Sequence, residues 1–165
     1  MLEGRQEDAY RHLQEAKQCL ERVNYAKALD EAQTCVELLT KDFLDVLGIC
    51  YKRKHDVSEK ISEIPQKLEQ PPFSTIVEAR HAFKSHLTWL MILLKSLTAI
   101  RSSLTYGENH LKLGAHQIFN FNGLERGKLL AKTMVELTEE TCENINPILE
   151  EIKTKIAMLD DLPPL

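Results

Sequence analysis

The chain has 165 residues, a formal net charge of −4, 43% apolar and 28% charged residues, and only six glycines and six prolines. That length suits one domain with a real core and hardly two, and the composition excludes a disordered chain or a membrane protein. The negative balance argues against broad electrostatic binding of nucleic-acid backbones, because domains that do this are usually basic.

The charged start, MLEGRQEDAY, carries no signal-peptide pattern. The apolar periodicity then predicts a first helix over about Glu7–Val23, with Ala9, Leu13, Ala16, Leu20 and Val23 on one stripe. The break at Val23-Asn24-Tyr25 is so short that the next helix must lie antiparallel against the first. This second helix is expected over Tyr25–Leu47, with Asn24 as N-cap, Gly48 as C-terminal stop, and Leu29, Ala32, Val36, Leu39, Phe43 and Leu47 as its buried stripe. Ala28 and Ala32 are small enough for a neighbouring helix to come close. A basic run follows at Lys52-Arg53-Lys54-His55, the one local basic patch of the chain.

A short helix is predicted over Asp56–Ile64, capped by Asp56 with Glu59 and ended by Pro65, with a Pro71-Pro72 loop after it. A long third helix should span about Thr75–Thr105, opened by a Thr75/Glu78 capping box. Between Leu87 and Leu94 it is apolar nearly all round, so that segment is either central or covered by a second copy. The run is far shorter than the roughly 20 residues of a membrane span. Tyr106–Gly123 is a long loop, and a fourth helix should run over Leu124–Leu159 with a kink or split at Pro147. The expected fold is therefore all-α: one domain over 1–165, an up-and-down four-helix bundle with one short additional helix and a long loop before the last helix.

The four cysteines, Cys19, Cys35, Cys50 and Cys142, form no CxxC pair and three of them fall on or near apolar helix faces. They are expected to be reduced, buried small hydrophobes in a cytoplasmic protein rather than zinc ligands. Di-iron chemistry needs Glu-x-x-His motifs on facing helices, and the chain carries no pair of them. No GxxxxGK phosphate loop is present either, so no cofactor or metal is expected.

Several residues in this order carry a family likeness. Ala9-x-x-x-Leu13-x-x-Ala16 is followed by Tyr25, Ala28, Ala32, Glu37 and Lys41 in the second helix, then Gly48, His55-Asp56, and Arg101 to Tyr106 as Arg-x-x-x-x-Tyr. Across nearly the whole chain this resembles the HEPN domain family of prokaryotes, of the type associated with nucleotidyltransferases. The resemblance implies a four-helix bundle, a homodimer, a nucleotidyltransferase partner and a role tied to nucleotides or RNA.

Catalytic HEPN members are metal-independent ribonucleases that use an Arg, four to six residues, then a His. The histidine serves as general acid or base, and the arginine stabilises charge on the phosphorane. Here Arg80 and His86 have the spacing but sit early in the third helix, while Arg101 has the place and His110 follows after eight residues. The plain alternative for Arg80 and His86 is a solvated helix face. His55-Asp56 could be an imidazole oriented by a carboxylate, or simply a helix cap. Glu37 and Lys41 are a surface ion pair, or with Arg101 and Tyr106 the lining of a nucleotide pocket that the resemblance implies. The preferred reading is a binding module without an intact catalytic motif. A ribonuclease, as the toxin of a toxin–antitoxin pair, is the first alternative, and a purely structural helical assembly module the second.

Overall fold

The computed structural model describes residues 2–51, 57–70, 80–105 and 125–160. Among these, every element is helical: α1 (Leu2–Glu21), α2 (Tyr25–Val46), α3 (Val57–Lys60), α4 (Glu63–Leu68), α5 (Arg80–Thr105) and α6 (Glu125–Asp160). The four long ones form the expected bundle. Helix α1 begins more than a turn before the predicted Glu7.

The α1–α2 hairpin follows from its two helix ends. Val23 takes the left-handed conformation (φ 61°), and its N–H reaches the Leu20 carbonyl while the Asn24 N–H reaches that of Cys19. This double closure satisfies carbonyls that a helix end leaves open. The Asn24 side chain then accepts the Lys27 N–H and caps α2, as its sequence position indicates. At the far end Gly48 (φ 70°) repeats the closure, with its N–H on the Asp45 carbonyl and the Ile49 N–H on that of Leu44.

Twelve of the 22 residues of α2 are buried, which makes it the central helix. It packs on α1, α5 and α6, and α6 also closes on α1 and α5. Small residues, Ala9 and Ala16 on α1 with Ala28 and Ala32 on α2, are at most 1% exposed, as close helix packing requires. Phe43, Leu39, Leu90, Leu94, Ile145 and Leu149 fill the centre, each contributing about 1.5–3 kcal/mol through burial. Cross-helix pairs fix the directions. His12 meets Glu31, and Arg5 meets Asp45, so α1 and α2 run oppositely. Cys35 meets Cys142, and Asp42 meets Lys153, so α2 and α6 run the same way, as diagonal members of an up-and-down bundle do.

Three details depart from the sequence expectation. The single short helix is two, and Pro65 lies inside α4 instead of ending a helix at Ile64. It occupies the first turn, where a backbone N–H has no intrahelical partner to lose. Helix α6 is continuous through Pro147 and is not split. The carbonyl that Pro147 cannot serve belongs to Glu143, and both residues are exposed, so water can take its place. Finally, the apolar run of α5 is two-sided. Leu87, Leu90, Leu93 and Leu94 are buried, while Trp89 and Ile92 stand about half exposed at 53% and 47%. The capping residues Asp56, Thr75 and Glu78 and the loop 106–123 lie outside the described residues.

Candidate functional site

The predicted Glu37–Lys41–Arg101 grouping lies where α2 meets the end of α5. On α2, Asp30, Gln33, Glu37 and Lys41 follow one another at steps of three and four residues, which puts them in one row beside the apolar stripe. Arg101 comes to this row from α5. Its Nε contacts Asp30 Oδ1 at 2.8 Å, and its Nη1 donates to Gln33 Oε1 at 2.6 Å. Gln33 Nε2 donates in turn to Glu37 Oε2 at 2.8 Å, and Lys41 Nζ contacts Glu37 Oε1 at 2.7 Å. The result is one continuous chain of polar contacts, Arg101–Gln33–Glu37–Lys41, anchored by a glutamine only 4% exposed.

Two carboxylates face two cations, so the row is balanced in charge. Burial acts to raise the Glu37 carboxyl, but the hydrogen bonds from Lys41 and Gln33 and the charges of Lys41 and Arg101 outweigh it and hold the group below its ordinary value. Glu37 and Lys41 are thus more than a solvated ion pair: their side chains are 30% and 21% exposed and tied into the bundle through Gln33. Arg101 and Asp30, at 47% and 46%, form the open edge of the row.

The other predicted residues fall elsewhere. His86 lies far from Arg101, since fifteen residues of helix separate them by about 22 Å along α5. Arg80 and His86 share that helix six positions apart, and the side chain of Arg80 lies outside the described residues. His86 instead lines a cleft of about 200 Å³ between α5 and α6, with Ser85 and Trp89 from α5 and Leu137, Glu140, Thr141 and Asn144 from α6. His55, Tyr106 and His110 lie outside the described residues.

Sequence reasoning missed the partners that organise these groups. Asp30 and Gln33 hold Arg101, and the signal was present: they extend the Glu37–Lys41 spacing backwards along one face of α2. It also missed the buried pair of Asp42 and Lys153, 2.6 Å apart, where Lys153 further donates to Gln6 Oε1 at 2.9 Å. Burial pushes the Asp42 carboxyl up more strongly than Lys153 pulls it down. Nothing in a single sequence pairs residues 42 and 153. The same holds for the buried sulfurs of Cys35 and Cys142, 3.5 Å apart, and for His12 Nδ1 against Glu31 at 2.5 Å.

The described helices define the class as an all-α bundle. The HEPN domain model matches residues 3–159, and the chain belongs to the HEPN domain family. This makes it a module of a nucleotide- and RNA-related family. Neither the curated proteins nor the solved structures give a match. Among the described residues, no helix is long and apolar enough to cross a membrane.

Proposed function

We propose that this HEPN domain acts by binding nucleotide or RNA through the Arg101 end of the α2 row, beside a nucleotidyltransferase partner and without cleaving RNA. The observation that carries this is the engagement of Arg101. A general acid–base pair needs an imidazole within hydrogen-bond reach of the reacting phosphate. Arg101 is held by Asp30 and Gln33, and neither of these partners is a histidine. A guanidinium fixed in this way at a half-exposed edge suits phosphate recognition, because its fork is already oriented. Asp30 and Gln33 engage Nε and Nη1, so Nη2 is the donor that meets the phosphate.

The test is a titration of mononucleotides and of a short labelled RNA, followed by calorimetry and fluorescence anisotropy. Arg101→Ala should weaken binding about tenfold, the loss of roughly 1.4 kcal/mol expected of a charged hydrogen bond. Equal binding by wild type and Arg101→Ala removes the proposal. The dimer and the partner belong to the same proposal. The dimer is supported by Ile92, which α5 leaves exposed above the small residues Ser96 and Ala99. Light scattering should give twice the 18.9 kDa chain mass, and a nucleotidyltransferase encoded beside the gene should co-elute with the bundle.

A further inference from the structure

The α5–α6 cleft is separate from the Arg101 row and has its own chemistry. Among the described residues, Ser85, His86, Glu140 and Asn144 make no hydrogen bond or ion pair, whereas most charged side chains on the other helices are paired. Thr141 alone is engaged, donating to the Leu137 carbonyl at 2.7 Å. Beside these polar groups stands Trp89, a large aromatic left 53% exposed. An exposed indole next to an unpaired carboxylate is an arrangement for a cation. The ring attracts a guanidinium by cation–π contact, and the carboxylate accepts its paired N–H groups. No lysine or arginine is among the described lining residues, so among these Glu140 has no counter-charge in the cleft.

Charge and size narrow the ligand. Glu136 and Glu143, exposed on α6 one turn to either side of Glu140, make no ion pair among the described residues. A phosphate is repelled from this face and a cation drawn to it. The volume, about 200 Å³, is below the roughly 300 Å³ at which sites for whole small-molecule ligands begin. It suits a single long side chain.

We propose that this cleft is a second binding site, which takes an arginine side chain of a protein partner, with Glu140 as counter-charge and Trp89 as stacking face. Asn144 Oδ1 and Ser85 Oγ supply the remaining acceptors. A peptide-borne arginine fits better than free arginine, whose own carboxylate meets the Glu136–Glu140–Glu143 side of α6.

Trp89 is the only tryptophan of the chain, so its fluorescence reports this site directly. The test titrates the full chain with acetyl-Gly-Arg-Gly-amide, the same peptide carrying citrulline, free arginine and a short RNA. The arginine peptide should change the emission saturably and at lower concentration than free arginine, while the citrulline peptide and RNA leave it unchanged. Glu140→Gln, at an exposed position and checked for folding by circular dichroism, should weaken the response tenfold or more, and Glu140→Lys should abolish it. The proposal is overturned by a wild-type chain with no saturable response, by an equal response to citrulline or to RNA, by a tighter response to free arginine, or by an unchanged affinity in folded Glu140→Gln. Arg101→Ala should respond as wild type, which separates this site from the one at the α2 row.

Discussion

Val23 shows how much a single backbone conformation can cost. A β-branched residue in the left-handed region is disfavoured by about 1–2 kcal/mol, yet the α1–α2 turn needs that conformation to close its two carbonyl bonds. Val23 is 55% exposed, so its side chain returns little packing. Val23→Gly should therefore stabilise the protein by about 1 kcal/mol and raise the melting temperature by roughly 2–4 °C. Glu37 carries a pH dependence of definite sign. Its folded carboxyl titrates below the ordinary value of 4.5, so the stability it contributes is present above that value and is lost as pH falls through the lower folded one. The stability gap between wild type and Glu37→Gln, followed by denaturant melts from pH 7 to pH 3, should shrink in acid and stay constant above about pH 6. Asp42 is the more costly residue to remove. It is fully buried, and Asp42→Ala leaves the Lys153 ammonium, 13% exposed, without its counter-charge. A loss of about 3–5 kcal/mol in urea unfolding is the expected outcome.

The helices were largely legible because apolar spacing, short links and caps all pointed the same way. Asn24 capped α2 as read, and Gly48 ended it. The prolines were less legible, since a proline breaks a helix only where its N–H or its ring matters. Pro65 sits in a first turn and Pro147 on an exposed face, so neither ended its helix. Pro147 still leaves the Glu143 carbonyl without its helical donor. Pro147→Ala should restore that bond and stabilise α6 by about 1–3 kcal/mol, read as a higher melting temperature with unchanged far-ultraviolet dichroism. On the buried face of α2 the opposite change is harmful. Ala32 is completely buried against its neighbours, and Ala32→Leu should cost about 1–3 kcal/mol by overpacking.

At the scale of the whole molecule, the order of motifs identified the family, because the likeness ran through most of the chain and the match covers residues 3–159. The site was legible only in part. Glu37, Lys41 and Arg101 were named, and the structure joins them, but the link runs through Gln33, which no motif marks. His86 was paired with Arg80 on spacing alone; the structure places His86 in the α5–α6 cleft, and the side chain of Arg80 lies outside the described residues. Contacts between residues 33 and 101, or 42 and 153, are set by how the helices stack, which one sequence does not spell out. The central claim is that this bundle binds through Arg101 and does not cut. Incubating the purified chain with a labelled single-stranded RNA, without added metal, tests it most directly on one gel. The expected result is intact RNA whose mobility is retarded by wild type and much less by Arg101→Ala. Fragments that disappear with His86→Ala or His110→Ala would contradict it.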